Sequence, residues 1–171
     1  MGLSISASFA IIFMASIIAF GTLYTSFENT YNSISDSVDS YKNALIKRET
    51  SRLALNSTSY DDPGSNFTIY TITFNITNQG STLSPKYWNF IRDGRLKEPD
   101  NSTLIVEDKE YLLPGESILI STTEIKDSDT HTLTIATETG CSLKIEWEWR
   151  WLDQNQTIGE PVITATAWYC T

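Results

Sequence analysis

Two hydrophobic periods divide the chain. From Phe13 onward apolar residues recur at Ile17, Phe20, Tyr24, Phe27, Tyr31, Ile34, Val38, Tyr41 and Leu45, in alternating steps of four and three. That is the a/d spacing of a heptad repeat on an α-helix. The first half of the pattern lies in an uncharged run: the first charge is Glu28, and Leu3 to Tyr24 exceeds the ~20 residues that a helix needs to cross a bilayer. The spacing therefore predicts a transmembrane helix over residues 1–27, continued by a helical stalk over 28–52. At 1.5 Å per residue such a helix runs about 70 Å, of which a bilayer core takes about 30 Å. Gly21 permits a bend, and the Ser and Asn residues between 29 and 40 are weaker helix formers. Within a membrane any apolar pattern fits a seam, so Tyr31, Ile34, Val38, Tyr41 and Leu45 carry the reading of helix packing. Two destinations are open to that face, an assembly of helices or the chain's own globular domain.

From about Arg52 the period falls to two. Phe67, Ile69, Thr71 and Thr73 lead into Phe74 and Ile76; Leu104 alternates with Val106, Ile118 with Ile120, and Leu133 with Ile135. The longest series is Cys141, Leu143, Ile145, Trp147, Trp149 and Trp151. Turn signals separate these runs, among them Asp61-Asp-Pro-Gly64, Asn78-Gln-Gly80, Arg92-Asp-Gly94 and Leu113-Pro-Gly115. The pattern predicts a mainly β domain over residues 53–171, seven or eight short strands in an immunoglobulin-like antiparallel β-sandwich preceded by the long helix.

Composition narrows the function. The chain has 171 residues, 21 acidic against 12 basic, and a net charge of -9. Scattered Lys and Arg on an acidic chain do not neutralise a phosphate backbone, so nucleic acid is excluded as a partner. An apolar start without Lys or Arg differs from a cleaved secretory peptide with its basic leading region, which favours a retained anchor.

Orientation rests on two other signals. Asn56, Asn66, Asn75, Asn101 and Asn155 all open N-glycosylation acceptor triplets ending in Thr, five of the ten Asn in the chain. A Thr-rich β protein with accidental triplets is the alternative. Cys141 and Cys170 fit a disulfide, which persists outside the reducing cytosol. In an antiparallel hairpin facing residues have a constant index sum; here it is 311, which centres the turn in the polar stretch Asp153 to Gly159. The same sum sets Leu143 against Trp168, Trp147 against Thr164 and Trp149 against Val162. Two reduced, buried thiols are the alternative.

Catalytic chemistry is read by subtraction. His131 is the one histidine, expected on the solvent face of its strand, so no histidine-based metal cluster is expected and no cofactor either. No nucleophile elbow or phosphate-cradling loop occurs. Asp61-Asp62 and Asp127-Ser-Asp129 read as turn residues before calcium ligands, and Trp147, Trp149 and Trp151 as sandwich core before a binding platform. The chain is not expected to be an enzyme.

The stretch Phe9-Ala-Ile-Ile-Phe-Met-Ala-Ser-Ile-Ile-Ala-Phe-Gly-Thr-Leu-Tyr24, followed by Asn32-Ser-Ile-Ser-Asp-Ser37, resembles the start of the archaeal flagellar (archaellum) accessory protein F family. Phe74-Asn-Ile-Thr-Asn-Gln-Gly-Ser-Thr-Leu83 and Tyr111-Leu-Leu-Pro-Gly-Glu116 are similar to strand-turn motifs shared by archaellum F, G and flagellin β-domains. The resemblance implies a single-pass, pilin-like protein of the archaeal cell membrane with its C-terminal domain outside, beneath the S-layer. Its partners would be the S-layer protein and accessory protein G, in a homo- or hetero-oligomer that anchors the stator of the rotary motor. The alternative is a flagellin or pilin-like filament subunit. A short basic leader ending in Lys/Arg-Gly, which marks the filament-forming flagellins, does not precede the apolar run, and this sets the stator reading first.

Overall fold

The computed structural model describes residues 2–64, 68–100, 102–154 and 157–170, with side chains from residue 7 onward. The chain divides into two compact units, Met1–Leu45 and Ile46–Thr171. Helix α1 (Gly2–Thr50) is continuous for 49 residues. All five Pro lie beyond it, so nothing removes a helical N–H. Its hydroxyls turn back on the helix: Ser16 donates to the Ile12 carbonyl at 2.8 Å, Thr30 to Ser26 at 2.8 Å and Ser37 to Ser33 at 2.7 Å. Such internal bonds let polar residues sit in an apolar environment without orphaned donors.

In the second unit the described strands form two antiparallel sheets. One has the order β1 (Leu53–Asp61), β2 (Ile69–Asn78), β6 (Ser117–Ile125), β5 (Leu104–Val106). The other has β4 (Arg95–Lys97), β3 (Asn89–Arg92), β7 (Thr130–Ala136), β8 (Cys141–Trp151), β9 (Gly159–Cys170). Mapped in chain order, this is the ABED and CFG plan of immunoglobulin domains, with β4 and β9 added at the two edges of the second sheet. The β3–β4 turn needs two residues at positive φ, and Asp93 (φ 47°) and Gly94 (φ 74°) supply them.

The alternating side chains meet between the sheets. Tyr70, Phe74, Phe90, Trp147 and Trp149 are the largest fully buried there, and Trp147 Nε1 donates to Tyr70 Oη at 3.0 Å, so that indole is satisfied. Trp147 and Trp149 are thus core, with Trp151 half-buried against Trp149.

The β8–β9 hairpin keeps the index sum of 311 from Cys141↔Cys170 through Leu143↔Trp168 to Glu146↔Ala165. Beyond that point a β-bulge intervenes. Trp147 then faces Ile163 and Trp149 faces Pro161, in place of the Thr164 and Val162 that a uniform sum requires. The extra residue, Thr164 on β9, bends the edge strand and brings Ile163 opposite Trp147, where it packs against the core.

Candidate assembly interface

The seam residues all lie on α1, and their side chains are exposed: Tyr31 65%, Ile34 60%, Val38 58%, Tyr41 66% and Leu45 38%. Phe13, Ile17, Phe20, Tyr24 and Phe27 on the same heptad positions are exposed too. Each large side chain of this apolar stripe would gain about 1.5–3 kcal/mol on leaving water. The helix is also long and apolar enough to cross a membrane.

The last helical turn is built into the second unit. Ser81 and Gln79 donate their N–H groups to the carbonyls of Thr50 and Arg52, at 3.0 and 2.8 Å. Gly80 permits this approach, because a Cβ there would stand 2.1 Å from the Thr50 oxygen. Buried Asn78 organises the turn: Nδ2 donates to the Ser81 and Leu112 carbonyls, both at 2.8 Å, and Oδ1 accepts from Gly80 N–H at 2.9 Å. Leu83 and Leu112 then pair as an antiparallel bridge. The two motifs Phe74–Leu83 and Tyr111–Glu116 are therefore halves of one lock. Glu138 adds a second tie, accepting from Lys47 Nζ at 3.2 Å, Ser84 N–H at 2.8 Å and Trp88 Nε1 at 3.0 Å.

Cys141 and Cys170 are joined as a disulfide at the open end of the β8–β9 hairpin. Both sulfurs lie near the Arg48 carbonyl, at 3.6 and 4.0 Å. Of the acceptor asparagines, Asn56 is exposed and falls at the β1 bulge, between the pairs Leu55↔Ile76 and Ser57↔Asn75. Asn75 is half-buried in the middle of β2. Asn66, Asn101 and Asn155 lie outside the described residues.

His131 departs from its expected solvent face. It shares parity with Leu133 and Ile135 on β7 and points inward, its ring against Trp147 at 5.8 Å. Nδ1 lies 3.4 Å from Asp93 Oδ2 and 3.6 Å from Glu124 Oε2, while Nε2 is 3.2 Å from Asp127 Oδ1, too poorly aligned for a hydrogen bond. So the lone histidine does meet two carboxylates at ligand spacing, all within 4.8 Å. The Arg92 guanidinium, 2.5 Å from Glu124, already stands as the cation of that group. Burial pushes the Glu124 carboxyl above its ordinary value, against the pull of Arg92, His131 and the Thr122 hydroxyl. The cluster ties β6 to the β3–β4 turn by charge across the sandwich, a signal that polarity on a core-parity position would have given.

The acidic pairs serve turns. Asp62 Oδ1 accepts from Gly64 N–H at 2.8 Å and from Lys126 Nζ at 2.5 Å; slight burial opposes ionisation, but these donors hold its carboxyl below the usual range. Asp127 accepts from Asp129 N–H at 3.1 Å.

No curated protein matches the chain. Among solved structures, a chain of the archaeal flagellum of Methanospirillum hungatei strain JF1 is similar at a TM-score of 0.64, with 15% identity over 80% of this chain and 88% of that one. At that identity the likeness is one of fold, a long apolar helix leading into a β-domain. Archaeal-type flagellin is the family that matches in sequence, across residues 4–147, helix and most of the sandwich together. The chain belongs to the archaeal-type flagellin family, a family of structural archaellum components.

Proposed function

We propose that the chain is a filament-type subunit of the archaellum, a structural protein that binds further copies of itself through α1 and acts without catalysis or cofactor. The observation that carries this reading is the exposed heptad stripe on a helix of a flagellin-family chain. A filament buries such a stripe among many copies, and the Ser and Thr hydroxyls bonded back onto the helix suit a dry helical core. On this reading the β-domain faces outward, where the disulfide persists and Asn56, Asn66, Asn101 and Asn155 are proposed glycan sites. The test is where the protein goes. It should be recovered in sheared surface appendages, and Ile34→Glu with Val38→Glu should abolish them.

A second reading is favoured by the likeness of Phe9–Tyr24 and Asn32–Ser37 to accessory protein F. Here α1 crosses the cell membrane once, the β-domain sits beneath the S-layer and binds the S-layer protein, and accessory protein G pairs with it to hold the stator. Recovery in the membrane fraction, with capture of S-layer protein that fails when residues 53–171 are deleted, selects this reading over the first.

A further inference from the structure

The second sheet ends in two edges of opposite charge. Along one edge, from Pro85 through β3 to the end of β4, stand Lys86, Arg92, Arg95 and Lys97. Arg92 is engaged by Glu124 at 2.5 Å, which leaves Lys86, Arg95 and Lys97 against Asp93 and the following Glu98. Arg95 and Lys97 have no acidic partner among the described residues, and Leu96 between them is 68% exposed. The opposite edge is β9, with β1 of the first sheet beside it; together these two strands hold Asp61 and Glu160 and no Lys or Arg. Arg150 faces Glu160 across the hairpin but is taken up by Glu148 at 3.1 Å, and Lys126 is taken up by Asp62. Asp61 and Glu160 are thus left without a cation. Asp153 in the adjoining turn adds a third negative charge, its carboxyl held below the usual range by the Ile158 N–H and the Thr157 hydroxyl. Apolar side chains stand exposed among these acids: Tyr60, edge-on to Trp149 at 6.2 Å, and the neighbours Leu152 and Ile158 at the hairpin tip.

We infer that the β3–β4 edge of one copy docks on this acidic end of β1 and β9 in the next copy. Local charge selects the occupant. An edge that sets Arg95 and Lys97 around an exposed Leu96 fits a surface that sets unpaired carboxylates around exposed apolar groups, and the chain itself presents that surface. Both strands are also sheet edges, with an outward row of N–H and C=O groups that no strand covers. The two edges of one sheet face away from each other, so each copy offers one edge to either neighbour. The contact is heterologous and repeats from copy to copy, as equivalent positions in a helical array require. Register gives the step. Through the pairs Arg95–Arg92, Arg92–Leu133, Leu133–Ile145 and Ile145–Thr166, Arg95 stands level with Thr166. Glu160 lies six residues further along β9, about 20 Å, so neighbours joined this way are offset along the strands. Asn56 lies about 16 Å before Asp61 on β1 and is left free by the contact. A strand of three residues makes a small interface, weak in dilute solution. It becomes effective once copies are held side by side through α1; the inference rests on the filament reading.

Cross-linking of the full chain in its native assembly tests this. The native cysteines are bridged, so introduced thiols report alone. Leu96→Cys with Ile158→Cys in one chain, each of the two alone, and Val38→Cys on the helix are treated with a short bis-maleimide. Within one chain the edges at 96 and 158 lie four strand spacings apart, about 19 Å, beyond the reagent's reach. A ladder of dimers, trimers and longer species is expected from the pair, monomer from either single variant, and dimer at 38. Arg95→Glu with Lys97→Glu should abolish the ladder, and adding Asp61→Lys with Glu160→Lys should restore it. Dimer at 38 without a ladder from the pair overturns the docking and leaves the helical assembly standing. No cross-link at any site overturns the assembly reading first and the docking with it. Dimer from Leu96→Cys or Ile158→Cys alone, cross-linking to a different protein, or a ladder that survives the charge reversal or fails to return with its compensation, also overturns the inference.

Discussion

At the scale of single residues, the polar groups inside the sandwich decide more than the apolar ones. Asn78 makes three side-chain hydrogen bonds in a buried turn. Asn78→Ala leaves two carbonyls and an N–H without that partner and should cost about 2–4 kcal/mol, read as a lower melting temperature of the full chain with secondary structure retained. Two carboxyls give opposite pH dependences. Asp62 is held below its ordinary value, so its contribution is complete above pH 3.8 and lost as pH falls through the depressed value. Glu124 is raised by burial, so its contribution is complete below pH 4.5 and lost as pH rises through the elevated one. Melting followed from pH 3 to pH 8 should show the acid limb flattened in Asp62→Asn and the limb above pH 4.5 flattened in Glu124→Gln. His131 shows where residue chemistry misleads: its polarity suggested solvent, but its parity with Leu133 and Ile135 put it in the core, and position in the alternation outranked side-chain type.

At the scale of elements, what the sequence made legible follows from how regular each element is. The helix and the long β8 alternation repeat often enough to be read directly. β1 was not readable, because after Leu53 and Leu55 it runs through Asn56-Ser-Thr-Ser59 as an exposed edge strand with no buried face to enforce alternation. The index sum placed Cys141 opposite Cys170 but had no means of anticipating the bulge opposite Glu146 and Trp147, which inserts Thr164 into β9. The hydroxyl pairs across β2 and β6, Thr71–Thr123, Thr73–Ser121 and Thr77–Ser117, were equally invisible, since their partners lie 40 to 52 residues apart. The bridged hairpin carries its own prediction. Closing a loop with a sequence separation of 29 should stabilise the domain by about 3.5 kcal/mol in the chain-entropy account. Cys141→Ala with Cys170→Ala should lower the denaturant midpoint accordingly, with little change in the slope.

At the scale of the whole molecule, function turns on a long apolar stripe joined to an acidic domain. Single charged substitutions at Ile34 or Val38 should each reduce appendage yield, and the pair should remove it while the β-domain keeps its circular dichroism signal. The same chain path bears on mechanics. Tension arriving along α1 would, without further ties, enter at Leu53 and peel β1 from β2 one rung at a time. The bonds from Ser81 and Gln79 to Thr50 and Arg52, with the Lys47–Glu138 ion pair, lie ahead of that first rung. They must rupture together before peeling begins, so load is shared across several elements of the domain instead of falling on an edge strand. On the filament reading the turn around Asn78 and Gly80 is in that sense a strain relief, and its loss would show in a pulling experiment as early yielding of β1 at unchanged chemical stability of the sheets behind it.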